Sequence, residues 1–592
     1  MSNIKFHATN WMKRFLWMLM WSFSTLFIYA QPNKISLQNS LSSSPKYEVR
    51  AVWLTTIGGL DWPHTYARTT YTVERQKQEL RTLLDQYQRA GINTVLLQTR
   101  VRGTVIYPSA YEPWDGCLSG IPGKSPGYDA LAFIINECHQ RGMELHAWIV
   151  TIPVGKWRGL GCKSLQRKYP KMIKKDKDEG YMNPESSQTA TYLANLCEEI
   201  TRNYDIDGIH LDYIRYPETW RIQINRATAR QHITNIVQAI HDRVKRLKPW
   251  VKMSCSPIGK YNDLPRYWSH GWNAYSKVCQ DAQAWLKEGL MDQLYPMMYF
   301  KGDQFYPFAL NWKEESHGRM IVPGLGIYFM SPTERNWPLQ VISQEMQVIR
   351  QYGMGHAYFR GKFLTDNVKG LYDFASNDFC RYPALIPAMT WQHTTPPLPP
   401  TQLKWDEKTA TLSWAGAKDR SNAPYLVYNI YASRQVPVDI HDARNLIATR
   451  VQSTTLQLPK ATALAYAVTA MDRYGNESDA IQSHKGNDAS VRATTRLLYC
   501  DGKHVELPAK GQTLDATFVL IESLQGTMIT TRVYQGKYAD ISTLPEGMYT
   551  LRSLDRYNHT HRLGIFMVKR NSLRYFYNNL PTISCSNSYL SW

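Results

Sequence analysis

An acidic residue at the end of a predicted strand is the strongest candidate for chemistry in this sequence of 592 residues. The segment Asp207–Pro217 begins as an apolar strand in which His210 and Asp212 are two positions apart, so both side chains point to the same side. A carboxylate there could transfer a proton or act as a nucleophile. The structural alternative is that Asp212 only pairs with Arg215 or His210 inside the protein.

Cleavage of a glycosidic bond requires a second carboxyl group, either about 5 Å from the first or further away to leave room for a water molecule. Asp61, Glu112 and Asp303 are candidates, because they follow the first, second and sixth predicted strands. Each of them could equally cap an ordinary turn or helix. Together they predict an acidic cleft.

Aromatic and polar side chains in the same loops could bind a sugar, since sugar rings stack on aromatic rings. The aromatic candidates are Trp62, Trp114, Trp148, Trp157, Tyr216, Trp220, Trp268 and Tyr299. The candidates for hydrogen bonds and charge contacts are Arg100, His146, Asn183, His210 and Arg215.

Other site chemistries lack their sequence patterns. There is no His-x-His after the first predicted strand, no Gly-x-Ser-x-Gly elbow, no Walker loop and no glycine-rich dinucleotide fingerprint. The nine cysteines show no Cys-x-x-Cys spacing, and no histidine pair completes a zinc site. We therefore expect neither a metal nor another cofactor.

The elements that must position these residues alternate between strands and helices from about residue 48 to 385. Eight strands are predicted, at Arg50–Leu54, Thr94–Gln98, Glu144–Val150, Gly208–Tyr213, Val251–Ser254, Gln293–Met297, Ile321–Gly324 and His356–Phe359. Gly91 and Gly142 each follow a helical pattern as a C′ glycine would. This rhythm predicts an α/β fold, a (β/α)8 TIM barrel at 45–390, with a flavodoxin-like open sheet as the alternative.

Beyond the barrel the pattern changes to strands alone. A proline-rich linker is predicted at 391–400 and a β-sandwich at 401–486, with strands at Thr411–Trp414, Tyr425–Ala432 and Ala465–Ala470. The segment Tyr466–Ser478 resembles the last hairpin of a fibronectin type III domain. A small β domain is predicted at 491–592.

The first 30 residues have the pattern of a signal peptide, in which basic residues precede the apolar run Phe15–Tyr29. The alternative is a membrane anchor, although this run is shorter than a spanning helix. We therefore expect an exported protein that meets the membrane only during export. The net charge of +20 favours a polyanionic partner. The basic residues are not interleaved with stacking aromatics, which disfavours nucleic acid, and the run Lys171–Lys175 is typical of solvated loop charge.

Six motifs in order resemble the glycosyl-hydrolase-like 10 family over about residues 45 to 385. They are Glu48–Thr56, Asp61–Pro63, Tyr107–Trp114, Pro126–Asp129, Glu144–Trp148 and Asp207–Pro217. Two positions depart from the pattern. This chain has Gln98-Thr99-Arg100-Val101 where the family often has Gln-Val-Arg-Pro, and Asp212-Tyr213 where it often has Asp-Asp.

The resemblance implies an exported (β/α)8 hydrolase that acts on bacterial cell-wall glycan, notably peptidoglycan strands without their stem peptides. Asp212 would be the principal catalytic carboxylate, with Glu112, Asp303 or Asp61 as the second. A non-catalytic glycan-binding surface protein remains the alternative, because a fold does not guarantee its function. An adhesion or nucleic-acid-binding protein that uses its positive charge is a further alternative.

Overall fold

The structure is a computed structural model that describes residues 44–265, 267, 271–459, 464–483, 498–507, 516–523, 528–533, 537–555 and 560–568. The predicted signal peptide and Trp268 lie outside these residues. From Lys46 onward the described chain forms one compact unit. Within the described ranges, no helix is long and apolar enough to cross a membrane.

The first part of the chain is a (β/α)8 barrel, as predicted. Its parallel strands are β1 (Arg50–Leu54), β2 (Thr94–Arg100), β3 (Glu144–Val150), β7 (Gly208–Asp212), β8 (Lys252–Cys255), β9 (Gln293–Leu294), β10 (Met297–Met298), β11 (Met320–Ile321), β12 (Gly324–Leu325) and β13 (His356–Tyr358), while β4 to β6 belong to an insertion. The sixth and seventh strands are each broken in two. The ring closes across both halves, because β8 pairs with β9, β9 with β11, β10 with β12, and β12 with β13.

Helices connect the strands, and the long ones cover the outside of the barrel. They are α1 (Thr70–Arg89), α2 (Gly116–Ser119), α3 (Ala130–Gln140), α4 (Leu160–Lys168), α5 (Ser187–Asn203), α6 (Arg226–Leu247), α7 (Ala274–Lys277), α8 (Ala282–Lys287), α9 (Tyr306–Glu314), α10 (Leu339–Gln351), α11 (Gly361–Thr365) and α12 (Leu371–Phe374). Gly91 and Gly142 follow α1 and α3 with φ of 75° and 72°, the left-handed conformation that glycine adopts without strain. Strands β1, β2 and β3 are buried along their whole length, as strands covered on both faces must be.

An insertion after β3 forms a small antiparallel sheet. Its strands β4 (Pro153–Lys156), β5 (Ile173–Asp176) and β6 (Glu179–Met182) pair in the order β4-β6-β5, and α4 lies between the first two in sequence. We call residues 153–182 the lysine lobe. The run Lys171–Lys175, which the sequence suggested to be solvated loop, lies partly in β5 of this lobe.

Two antiparallel sheets follow the barrel, of three strands (β14-β15-β18) and four strands (β17-β16-β19-β20). Their strands are β14 (Thr401–Asp406), β15 (Thr411–Ala415), β16 (Val427–Ser433), β17 (Leu446–Val451), β18 (Thr455–Gln457), β19 (Ala465–Met471) and β20 (Ile481–Gln482). Apolar residues of both sheets share one core, which is the packing of a sandwich. The likeness to a fibronectin type III domain stays a prediction.

The described part of the last region contains strands alone. They are β21 (His504–Glu506), β22 (Ala516–Ser523), β23 (Met528–Val533), β24 (Tyr538–Asp540), β25 (Gly547–Asp555) and β26 (Thr560–Val568), and they form a two-stranded sheet, β21-β24, and a four-stranded sheet, β23-β22-β25-β26. These strands have a hydrophobic core of their own.

The sandwich inserts two arginines into the floor of the barrel, at the N-terminal ends of its strands. Arg450 contacts Glu144 at 3.0 Å and Asp207 at 2.7 Å, and Arg473 contacts Asp207 at 3.1 Å. Lys252 also pairs with Glu144, at 2.8 Å. All five side chains are buried, so the barrel and the sandwich share one buried cluster of paired charges across the predicted linker.

Candidate active site

Asp212 ends β7 at the C-terminal mouth of the barrel, where barrel enzymes place their active sites. Its Oδ2 atom accepts a hydrogen bond from Trp148 Nε1 at 3.1 Å, and its Oδ1 atom accepts from Ser256 Oγ at 2.8 Å and from the Tyr213 amide at 2.8 Å. Trp148 lies on β3 and Ser256 follows β8, so both neighbouring strands contribute to the position of the carboxyl group. Within the described chain, neither Arg215 nor His210 donates a hydrogen bond to it, although a purely structural role would have used them as partners.

Burial raises the pKa of the Asp212 carboxyl, although the hydrogen bonds from Ser256 and Trp148 act to lower it. The residue is nevertheless only half-buried. A carboxyl group in this environment holds its proton to higher pH than an exposed one while a substrate can still reach it. Those are the properties of a general acid.

A layer of buried rings lies beneath Asp212. Trp53 Nε1 donates to His210 Nε2 at 3.2 Å, and His210 Nδ1 lies 3.0 Å from Ser254 Oγ. Because Nε2 accepts, Nδ1 carries the proton of the neutral ring, and burial lowers the pKa of His210 far below its usual value. His146 is equally buried and contacts Glu144. The prediction that both histidines bind substrate is corrected, since they form the base of the site and are inaccessible.

A second carboxylate, Glu218, follows Asp212 by six residues and contacts two of the residues between them, Tyr213 and Arg215. The Tyr213 hydroxyl and Arg215 Nη1 both donate to Glu218, the latter at 2.8 Å, and the Arg215 guanidinium lies 3.8 Å from the centre of the Tyr213 ring. Burial alone would raise the pKa of Glu218, but the Arg215 charge and the Tyr213 hydrogen bond hold it below its ordinary value. The pKa of Asp212 is thus raised and the pKa of Glu218 is lowered. Such a pair is the pattern of a proton-donating acid with an ionised partner.

Aromatic rings form the wall of the mouth. Tyr299 stacks on Phe359 with ring centroids 5.3 Å apart and contacts Tyr328 edge-on at 5.7 Å. Burial, and then the charge of Asp212, raise the pKa of the Tyr299 hydroxyl, which places this ring near the carboxyl group. Trp272 is 42% exposed and lies 6.0 Å from the Arg215 guanidinium. These rings could stack on a sugar.

Sequence comparison identifies this barrel. Residues 48–229 and 224–324 match the sequence model of a family described as Glycosyl hydrolase-like 10. The barrel belongs to that family. The chain is similar to "Glycosyl hydrolase YngK" of Bacillus subtilis, with 27% identity over 506 residues that cover 75% of this chain and 95% of that protein.

Two further similarities are more distant or cover less. "Glycosyl hydrolase DigH" of Escherichia coli is 28% identical over 294 residues, which cover 44% of this chain and 66% of that protein. Among solved structures, the chain is similar to "Alpha-L-fucosidase isoenzyme 2 from Paenibacillus thiaminolyticus", with a TM-score of 0.38 and 14% identity, covering 56% of this chain and 49% of that chain.

Glu112 of this family barrel is not at the surface of the cleft. Its carboxylate forms a bidentate pair with Arg100, and both side chains are 0% exposed. Tyr192 donates a further hydrogen bond to it, at 3.1 Å. Arg100 also donates to the carbonyls of Val150 and Thr151, next to the site. The prediction of Glu112 as a catalytic acid, and of Arg100 as a substrate ligand, is corrected, because the two groups neutralise each other inside the protein.

Asp61 and Trp62 are also structural. Asp61 accepts from the Thr55 amide and hydroxyl, from Arg360 and from the Lys362 amide, which uses both of its oxygens. Trp62 is 1% exposed and donates to the Gln76 carbonyl at 3.0 Å. Both line the base of a surface groove of about 390 Å³ beside α1 and α11, on the outside of the barrel. The hydrogen bonds of Asp61 and the burial of Trp62 leave neither side chain free to contact a substrate, which opposes both predictions.

The remaining candidate site residues differ in how far they are exposed. Asp303 is exposed and hydrogen-bonds with Tyr267. Trp148 acts through Asp212, and Tyr216 is 1% exposed beneath the surface, so the prediction of Tyr216 as a substrate ligand is corrected. Trp114 and Asn183 are half-buried in the loops after the second and third strands.

Two features bear on cofactors and covalent links. The described residues contain no group of three or more histidine, cysteine or carboxylate side chains that could hold a metal ion. The eight cysteines within the described ranges are free thiols, and Cys585 lies outside those ranges.

Proposed function

We propose that the protein is an exported glycoside hydrolase that cleaves glycosidic bonds in a bacterial cell-wall glycan, namely peptidoglycan strands without their stem peptides. The observation that carries this proposal is the half-buried Asp212 carboxyl group, held by Trp148 and Ser256 at the mouth of a family barrel with its pKa raised. The substrate rests on the family resemblance, and export rests on the signal-peptide pattern of the first 30 residues.

In this mechanism Asp212 protonates the glycosidic oxygen as the bond to the anomeric carbon breaks. The leaving sugar departs as a neutral alcohol, and Asp212 becomes a carboxylate. Its three hydrogen bonds from Trp148, Ser256 and the Tyr213 amide then stabilise the negative charge that develops. The same residues therefore position the acid and favour its conjugate base.

Glu218 supplies the ionised carboxylate. Attack on the anomeric carbon and deprotonation of a water molecule both require a charged carboxylate, and the contacts with Arg215 and Tyr213 keep Glu218 charged. Glu218 takes the role of second carboxylate that was predicted for Glu112 or Asp61, because those two carboxylates are already paired with donors inside the protein. Tyr299 and Trp272 provide the stacking surfaces for the sugar rings.

The test measures sugar fragments by mass spectrometry after incubation with peptidoglycan strands stripped of peptides and with intact peptidoglycan. We expect the wild type to release fragments from the stripped strands, Asp212→Asn to lose activity by roughly 10²-fold to 10⁴-fold, and Glu218→Gln to lose a comparable amount. Asp303→Asn is the matched control, since Asp303 is an exposed acid at the same end of the barrel, and it should retain activity.

Two results would oppose the proposal. If the wild type releases nothing from either substrate but still binds the strands, the protein is a glycan-binding protein and not a hydrolase. If Asp303→Asn loses activity and Glu218→Gln does not, the second carboxylate is Asp303.

A further inference from the structure

The lysine lobe, residues 153–182, lies at the same end of the barrel as Asp212. It follows β3, the neighbour of β7, and Thr151, two residues before β4, donates from its amide and hydroxyl to the Asp212 carbonyl at 2.9 and 2.8 Å. The lobe is a folded part of the mouth. Its sheet and α4 fix where its side chains emerge.

The lobe carries far more positive than negative charge. Of its 30 residues, nine are lysine or arginine and three are acidic. Seven of the basic side chains are exposed and form no ion pair with any residue that the structure describes: Arg158, Lys163, Arg167, Lys168, Lys171, Lys175 and Lys177. Exposed unpaired cations gathered in one small lobe attract polyanions.

A continuous set of contacts connects the lobe to the candidate active site. Lys174 and Tyr181 are directly paired across β5 and β6, so their side chains lie on one face of the small sheet. Trp220, two residues after Glu218, contacts the Tyr181 ring edge-on at 5.7 Å and holds the Lys174 ammonium 5.5 Å from its centre. A chain bound at the mouth can therefore pass Trp220 and reach the lobe.

Two of the lysines are held in place by aromatic rings. Lys174 lies over Trp220 and also pairs with Glu185 at 3.6 Å, whereas Lys175 lies over Trp157 at 5.6 Å and has no ion pair within the described chain. The cation–π contact of Lys175 fixes its ammonium group without neutralising it, in contrast to a salt bridge. A lysine ammonium is a point charge with no preferred planar partner, so it can accept a carboxylate in several orientations. This tolerance suits a polymer that slides through a cleft.

We propose that the lysine lobe is a binding subsite for carboxylate groups borne at intervals along the glycan, so that the protein selects acidic over neutral polysaccharide. This inference rests on the proposed function, because it assigns the lobe to the same substrate. A glycan strand without stem peptides meets the requirement, since loss of the peptide leaves a free carboxylate on every second sugar.

The test measures binding with the inactive Asp212→Asn protein, so that no turnover is needed. Four probes are compared: peptide-free strands, the same strands with their carboxyl groups amidated, neutral chitooligosaccharides and polygalacturonate. Lys171→Glu with Lys175→Glu reverses two exposed unpaired lysines of the lobe. Arg89→Glu with Lys287→Glu is the matched control, because both residues are exposed, form no ion pair with the described residues, and end helices at the opposite face of the barrel.

We expect the peptide-free strands to bind more tightly than the amidated strands and the neutral oligosaccharides, with an affinity that falls between about 0.05 M and about 0.5 M salt. The lobe variant should bind the acidic strands about tenfold more weakly, and the control variant should bind them as the parent does. Binding of polygalacturonate would extend the subsite to uronic acids, and its absence would restrict the subsite to the muramyl carboxylate.

The inference is overturned if amidation leaves the affinity unchanged, if no probe binds, or if the two double variants weaken binding equally, since the effect would then come from net charge alone. Failure of the proposed function is detected separately, as the absence of fragments from the active wild type. If the lobe selects acidic strands but the wild type releases no fragments, the subsite is supported and the hydrolase proposal is rejected.

Discussion

Replacement of Glu112 by glutamine separates a structural from a catalytic role for this buried carboxylate. The substitution keeps the shape of the side chain but removes the charge that neutralises Arg100, whose side chain is 0% exposed. Removal of one partner of a buried ion pair leaves an uncompensated charge and typically costs about 3 to 5 kcal/mol. Tyr192 also donates to Glu112, so the NH2 group of a glutamine at this position would face the donors of Arg100 or Tyr192.

Urea unfolding followed by tryptophan fluorescence measures this loss, and kcat on peptide-free strands at a permissive temperature measures the catalytic effect. Glu74→Gln is the matched control, because Glu74 is 59% exposed and pairs with Lys77 at the surface, and it should change the unfolding free energy by less than about 0.5 kcal/mol. We expect Glu112→Gln to be strongly destabilised and to keep both limbs of the pH–rate profile, since the acid and its ionised partner are untouched.

The opposite combination of results would refute this reasoning. If Glu112→Gln unfolds at the same urea concentration as the wild type, while kcat falls by more than about a hundredfold and one limb of the pH–rate profile disappears, then Glu112 is a catalytic carboxylate. The buried pair with Arg100 would then have to open during catalysis.

Three further predictions concern other buried groups. Trp148→Phe removes a hydrogen bond that lowers the pKa of Asp212, so the alkaline limb of the kcat/KM profile should move to higher pH; an unchanged limb would exclude Asp212 as the acid. Glu345 on α10 is buried, has no hydrogen-bond partner within the described chain, and has its pKa raised by burial from 4.5 to about 9. Because the folded-state pKa is the higher one, stability is complete below the unfolded value and falls as pH rises towards 9, so Glu345→Gln should gain roughly 1.4 kcal/mol per pH unit over the wild type between about pH 5 and pH 8 in urea titrations. Arg450→Met leaves Glu144 and Asp207 with less neutralising charge and should cost about 3 to 5 kcal/mol in thermal or urea unfolding, whereas Arg434→Met, at an exposed site of the same sandwich, should cost little; equal losses would contradict the buried cluster.

The barrel could be predicted from the sequence because its signals are local. Strands β1 and β3 begin and end at the predicted residues, and the glycines after α1 and α3 have the expected left-handed conformation. The breaks in the sixth and seventh strands were missed. Each break contains a proline, Pro296 or Pro323, which has no amide hydrogen for the strand ladder, so the sequence held a signal for both breaks that the strand pattern alone overlooked.

The candidate site could be predicted only in part. Asp212 follows from the position of an acid at the end of a strand, which is a local feature. The same rule selected Glu112 and Asp61, because a sequence does not show that Arg100 folds back over 12 residues or that Arg360 approaches Asp61 from 299 positions away. Glu218 was missed since it lies six residues beyond the strand, where its contacts with Tyr213 and Arg215 become visible only in three dimensions.

The charge cluster in the barrel floor has a consequence for the order in which the chain is made. A ribosome completes β13 at Tyr358 about 90 residues before it adds Arg450, and more than a hundred before Arg473. At bacterial or eukaryotic rates this interval is on the order of ten seconds. During that time Glu144 and Asp207 have Lys252 and His139 as partners but lack both arginines. A barrel truncated before the sandwich would remain in that state permanently, so deletion of the C-terminal region would remove part of the barrel's own interior.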